Sequence, residues 1–288
     1  MSNTKTAVQR AVELSCEKYN KQQEYKQAVI DYLNNYRYNE ESGEPATHQS
    51  YGQFIQGRFS IPPNCCKEFM NLYSSAISYG FSYFSILEVQ KEYSPIIVDI
   101  DLKTPNNVVD DYTRSYDENL IQNIMQKYIT AINTYLNVNK EDFKVSLFEK
   151  EYASFTPEIK KDGFHLVFHN ICANTKIRHM IRDKVVKMCE QDKTFKGFDD
   201  EPKTIIDKAV VSSNGWFLYG SRKPGHEPYK LTKIYDIDLN LLYDHEEGVE
   251  YCNNERIKSQ LDNGDLAKMF SIHYRKKKYS RISQTPIK

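Results

Sequence analysis

The chain has 288 residues, enough for one large domain or two small ones, and its 40% hydrophobic, 13% aromatic and 27% charged residues allow a sizeable core. Lys plus Arg and Asp plus Glu each total 39, so no whole-protein field announces a nucleic-acid partner, and any such site has to be a local patch. Cys16, Cys65, Cys66, Cys172, Cys189 and Cys252 form no CxxC or CxxH pair, which argues against zinc and for a reducing compartment, and no apolar run approaches the ~18 residues of a membrane span.

Residues 5 to 36 contain neither proline nor glycine, and apolar or aromatic residues recur at three- and four-residue steps, through Ala7, Ala11 and Leu14 and then Tyr25, Val29, Tyr32 and Tyr36. One or two helices are expected there. The polar stretch RYNEESGEPATHQS separates this arm, residues 1–45, from a main domain over 46–262. SIPPNCCKEFMNLYSSAISYG predicts a helix opened by the prolines and closed near Gly80. SYFSILEVQ and SPIIVDIDLK read as two strands joined by a short turn around Lys91 to Ser94. YDENLIQNIMQKYITAINTYL predicts a helix of about six turns.

DFKVSLFEK and DGFHLVFHN read as a second strand pair, and TKIRHMIRDKVVKMCEQ as a helix. TIID, WFLYGS and PYKLTKIYDID read as short strands divided by turns at Ser213-Asn214-Gly215 and Pro224-Gly225. Strand pairs alternating with helices predict an α+β fold with largely antiparallel sheets flanked by helices. Residues 263–288 read as a basic tail or linker, with seven Lys or Arg and no acid after Asp265. The start MSNTKTAVQRAVELS lacks the apolar core of a secretory signal, so an intracellular, soluble protein is expected.

Three stretches carry residues that could do chemistry. In IIVDIDLK, strand alternation puts Ile96, Val98, Ile100 and Leu102 on one face and Asp99 and Asp101 together on the other, roughly 6–7 Å apart at the backbone. Like charges so placed repel, and either a divalent cation or nearby lysines such as Lys91 and Lys103 would relieve them. In KKDGFHLVFHN, Lys161, Gly163, His165 and Val167 share one face, and Gly163 leaves room for a ligand or another backbone to come close. A seat for a polyphosphate and a histidine hydrogen-bonded within the sheet both fit; HLVFH lacks the His-hydrophobic-His spacing of rolling-circle nicking enzymes. In TIIDKAVVSSNGWFLYGSRKPGHEPYKL, Asp207 ends an apolar run, and Arg222 and Lys223 in the SRKPG turn suit phosphates or form a solvated loop.

Taken together and in this order, the motifs resemble the archaeo-eukaryotic primase, or primase-polymerase, superfamily, and most of all the amino-terminal primase domain of poxvirus-type primase-helicases of large DNA viruses. IVDIDLK resembles its acidic-x-acidic metal motif, KKDGFHLVF its small-x-His motif, and IIDKAVVSSNGWFLYGSRKPGHEPYKL its third acid and following basic turn. Thr47 to Pro62 is similar to an entry segment of the viral branch, and the likeness runs from about Thr47 to Asp238.

The resemblance implies a catalytic core with an RRM-like half, viral DNA replication at an intracellular site, in the host cytoplasm or alternatively the nucleus, and primer synthesis on single-stranded DNA template from NTP or dNTP substrates. It implies two Mg²⁺ or Mn²⁺ ions held by Asp99, Asp101 and Asp207, with Lys161, Gly163 and His165 at the incoming triphosphate and Ser221, Arg222 and Lys223 adding phosphate contacts. It also implies a helicase or ATPase partner, in the same polypeptide or in trans. The sequence departs from the pattern in four ways: Gly163 stands where many relatives have Ser, WFLYG lacks a strand arginine for which Arg222 or Arg58 could substitute, no zinc-binding cysteine cluster is present, and no GxxxxGK[ST] loop is present. Two other readings stay open: a metal-dependent nuclease using Asp101-Leu102-Lys103, and a non-catalytic module that binds nucleic acid or helps assemble a helicase.

Overall fold

The structure is a computed structural model describing residues 6–106, 113–252 and 255–274. In chain order its helices and strands are α1 (Ala7–Asn35), β1 (His48–Tyr51), β2 (Gln56–Phe59), α2 (Cys66–Ser78), β3 (Ile86–Glu88), β4 (Tyr93–Pro105), α3 (Glu118–Tyr135), β5 (Val145–Glu149), β6 (Ser154–Phe155), β7 (Ile159–Asn174), α4 (Thr175–Asp192), α5 (Pro202–Ile205), α6 (Ala209–Ser212), β8 (Trp216–Phe217), β9 (Lys230–Tyr235), β10 (Leu241–Asp244), β11 (Val249–Cys252), β12 (Glu255–Lys258) and α7 (Asn263–Phe270). The chain divides into two compact units. The first takes in residues up to Glu88, Phe217–Pro224 and Leu261–Tyr274; the second holds Val89–Trp216 and Gly225–Gln260. Among the described residues no helix is long and apolar enough to cross a membrane.

In the first unit, α1 starts at a capping box in which Thr6 and Gln9 satisfy each other's backbone amides. The helix is continuous, because nothing in its sequence breaks it. Its buried residues, Val29, Tyr32 and Leu33, lie near its C-terminal end, where the Tyr32 ring meets Phe69 of α2. The antiparallel sheet runs β2-β1-β3-β8. Glu88, at the end of β3, is fully buried, and its carboxylate accepts from the Ser271 hydroxyl and the Ile272 and His273 amides. These donors compensate a charge that would otherwise be costly to bury, and they fasten the chain that follows α7. Residues 263–274 are therefore folded, although the sequence places a tail or linker from 263; the basic run from 275 to 288 lies outside the described residues.

In the second unit the sheet order is β12-β11-β10-β9-β5-β7-β4, with β6 on the edge of β7. Its centre is the antiparallel ladder of β4 and β7, in which Asp99 faces His165 and Asp101 faces Gly163. Alternation sends Ile96, Val98, Ile100 and Leu102 of β4 and Phe164, Leu166 and Phe168 of β7 into one core. Ile124, Met125 and Ile132 of α3 and Ile181 and Val185 of α4 join that core. The helices thus cover the apolar side of the ladder, and the acids of β4 face the other way.

The α+β class with antiparallel sheets holds, and several elements differ from expectation. β3 and β4 do not pair as a hairpin: Glu88 of β3 pairs with His48 of β1, while β4 pairs with β7 in the other sheet. TIID is not a strand; Pro202 sits in the first turn of the short helix α5, where its fixed φ and missing N–H are tolerated. WFLYGS contributes only the two residues of β8 to a strand. The β1–β2 hairpin and the strands β10, β11 and β12 have no counterpart in the sequence reading, since their segments are short and carry no apolar run.

Candidate active site

Asp99 and Asp101 stand on the sheet face opposite the helices, both partly exposed. The carboxyl of Asp101 is held above its ordinary range, first by burial and then by the charge of Asp99, against the opposing pull of Lys161, Lys103 and Lys150. A carboxylate pair in this condition favours a cation.

The third acid arrives by a backbone route. After α5 the chain crosses β4, where Ile206 bridges Ile100 and the Asp207 amide donates to the Asp99 carbonyl at 3.0 Å. Asp207 Oδ1 accepts from the Ala209 amide at 2.8 Å at the start of α6. The three acids therefore gather as backbone neighbours, with the carboxylate of Asp207 engaged by its own turn. Among the described residues, no three acid, histidine or cysteine side chains stand close enough to enclose an ion.

On β7, Gly163 lies so near β4 that a Cβ would sit 2.0 Å from the Ile100 carbonyl oxygen. The room expected beside His165 is filled by this neighbouring backbone. His165 Nε2 approaches Asp99 Oδ1 at 3.3 Å, and its ring stacks on Tyr229 with centroids 3.5 Å apart, with Trp216 at 4.6 Å. The imidazole is thus fixed by an acid at its edge and aromatic rings around it. Burial, together with Asp99 and Asp101, pushes the Tyr229 hydroxyl well above its ordinary pKa, so it stays protonated. Lys150, just past β5, lies over the Tyr229 ring with Nζ 4.7 Å from the centroid. Lys161 is exposed opposite Lys103, whose ammonium is held by Asp200 at 3.0 Å. Asp162 points to the other side of β7, nearly inaccessible, and accepts from Arg114 Nη1 at 3.0 Å and the Ser115 amide at 2.9 Å.

The basic turn belongs to the first unit. Ser221 is buried; its hydroxyl accepts from the Ile86 amide and pairs with the Tyr73 hydroxyl at 2.9 Å. In this position the Ser221 hydroxyl is committed to holding β3 and α2 together. The Arg222 guanidinium lies over the Tyr83 ring at 4.4 Å, and Lys223 is exposed. Arg58, the other candidate for the missing arginine, lies over Tyr38 at 4.3 Å in the same unit. Sequence reasoning missed Tyr229, Trp216 and Lys150. Tyr229 and Trp216 both lie in the TIIDKAVVSSNGWFLYGSRKPGHEPYKL stretch, but an aromatic at a strand end is more often core, and only tertiary contact brings these rings to His165.

The family whose pattern matches the sequence is the C962R protein N-terminal AEP domain, over residues 47–235, more than half of the chain. "Putative helicase L207/L206" of Acanthamoeba polyphaga mimivirus is 29% identical over 248 residues, which cover 84% of this chain and 25% of that protein. "Putative helicase 184R" of Invertebrate iridescent virus 6 is 30% identical over 211 residues, covering 66% of this chain and 21% of its own length. The chain thus spans about a quarter of the length of these curated relatives. With the family pattern running through both acidic stretches and the histidine strand, this chain belongs to the C962R-type AEP domains, the archaeo-eukaryotic primase family.

Proposed function

We propose that this domain is a DNA-dependent primase-polymerase that synthesises primers on a single-stranded template by nucleotidyl transfer. The observation that supports the proposal is the backbone bond from the Asp207 amide to the Asp99 carbonyl, which brings the chain at Asp207 alongside the strand on which Asp99 and Asp101 share a face. Hard carboxylate oxygens suit Mg²⁺ or Mn²⁺, and the Asp101 carboxyl, raised first by burial and then by the charge of Asp99, is a group whose ionised form a divalent ion would stabilise. When bound, two such ions would supply activation of a 3′-hydroxyl and charge neutralisation at the triphosphate.

Asp99 and Asp101 would hold them, and Asp207, whose carboxylate is turned to the Ala209 amide and does not close a three-acid cluster with the pair, would have to turn toward them to join. His165, fixed by Tyr229 and Asp99, presents its imidazole beside the acids, and the exposed Lys161 adds a mobile positive charge for the phosphates. The nuclease reading needs Lys103 to orient a water, and the ion pair of Lys103 with Asp200 speaks against it. The names of the longer relatives, putative helicases of two viruses, support a helicase region working with this domain.

The test is incubation with circular single-stranded DNA, NTPs or dNTPs, and Mg²⁺ or Mn²⁺. Labelled product that disappears in Asp99→Asn and Asp101→Asn supports the proposal. Product that persists undiminished in both variants overturns it. Absence of product, together with no Mn²⁺ binding by calorimetry, would favour a non-catalytic module.

A further inference from the structure

The first unit carries a row of rings bracketed by cations. Lys26 of α1 lies over Phe54 with Nζ 5.2 Å from the ring centroid. Phe54 meets Phe81 at 5.6 Å, Phe81 meets Tyr83 at 6.0 Å, and the Arg222 guanidinium covers Tyr83 at 4.4 Å. The two outer rings are open to solvent, Phe54 by 37% and Tyr83 by 53%, while Phe81 between them is buried at 4% and locked edge-on against Phe84 at 4.5 Å. Lys223, beside Arg222, is exposed.

Two accessible rings on a rigid buried support, with cations at both ends, match what an unpaired strand offers. Bases bring π-faces of any sequence, and phosphates bring regularly spaced negative charge. A duplex keeps its bases stacked on one another and has no faces to give. A hydrophobic protein partner would use the rings and gain nothing from cations at each end of the row. In a chain of zero net charge, such a local concentration is where a polyanion has to be met.

We propose that the row from Lys26 through Phe54, Phe81 and Tyr83 to Arg222 and Lys223 is a stacking platform for single-stranded nucleic acid. The site is distinct from the acids of β4 and binds without nucleotide or metal. Phe54 and Tyr83 each take a base on the ring face away from their cation, and Lys26, Arg222 and Lys223 take the flanking phosphates. This assignment gives the basic turn a role on the strand instead of on the triphosphate.

The test is fluorescence anisotropy of the full chain with a short labelled oligothymidylate in EDTA, a condition in which polymerisation plays no part. Phe54→Ala and Tyr83→Ala should each weaken binding by roughly 5- to 160-fold, and Tyr83→Phe should bind like the wild type. Lys26→Gln and Arg222→Gln should each flatten the dependence of log affinity on log salt by about 0.7. The exposure of Phe54 and Tyr83 lets both alanine variants fold, which circular dichroism verifies. Unchanged affinity in folded Phe54→Ala and Tyr83→Ala overturns the proposal and leaves the row as a protein-docking face. An equal loss for duplex DNA overturns it as well, since base stacking would then have no part.

Discussion

The amide of Asp207 donates to the carbonyl of Asp99 at 3.0 Å, joining two acids far apart in the sequence. Because the bond is between backbones, it places the third acid whatever its side chain is doing. The carboxylate itself accepts from the Ala209 amide at the start of α6. The structural role and the proposed metal-binding role therefore fall on one side chain and can be separated. Asp207→Asn keeps an acceptor for Ala209, so its thermal midpoint should stay near wild type while primer synthesis falls. Asp207→Ala should lose synthesis and also about 0.5–1.5 kcal/mol of stability, the usual net cost of a lost hydrogen bond, read by denaturant unfolding.

Asp99→Asn and Asp101→Asn should lower primer synthesis by at least ~100-fold, since charge stabilisation by a bound divalent ion contributes several kcal/mol. Product yield against enzyme concentration measures this. Asp101→Asn should at the same time make the metal-free protein more stable at neutral pH. Burial and Asp99 raise the folded-state pKa of this carboxyl above the ordinary 3.8, so the folded state favours its protonated form. Stability from that preference is present at low pH and is lost as pH climbs from 3.8 through the raised value. The gap in melting temperature between the variant and wild type should therefore widen as pH rises toward neutral. Mn²⁺ should narrow it by stabilising only the wild type.

Gly163→Ala should destabilise the domain by about 2–4 kcal/mol, in the range of severe core changes. A Cβ there meets the Ile100 carbonyl oxygen at 2.0 Å, and φ is +157°, so the β4–β7 ladder has to part where Asp101 faces position 163. Urea unfolding gives the stability change. Amide exchange at Asp101 and Leu102 should accelerate with it.

Tyr229→Phe should retain near-normal activity, because the stack on His165 uses the ring, while Tyr229→Ala should raise KM for the nucleotide more than it lowers kcat. The loss expected for removing an aromatic–aromatic contact is about 0.5–1.5 kcal/mol beyond burial, or roughly 2- to 12-fold in affinity. Steady-state kinetics with varied nucleotide separates the two constants.

The local pattern of the chain determined a good deal. The alternation of IIVDIDLK set Asp99 and Asp101 on one face against a core of Ile96, Val98, Ile100 and Leu102, and the three-and-four spacing of α2, α3 and α4 marked their buried sides. These periodicities repeat every few residues, so a short window holds the whole signal. What only the tertiary structure decided are contacts between segments distant in the chain. β3 leaves β4 to pair with β1, Asp207 reaches Asp99 through a helix that the sequence reads as a strand, Gly163 serves the Ile100 carbonyl, and Tyr229 comes to rest on His165. Each of these partners is chosen by competition among many chemically similar ones, and close packing with backbone pairing across the finished fold selects among them.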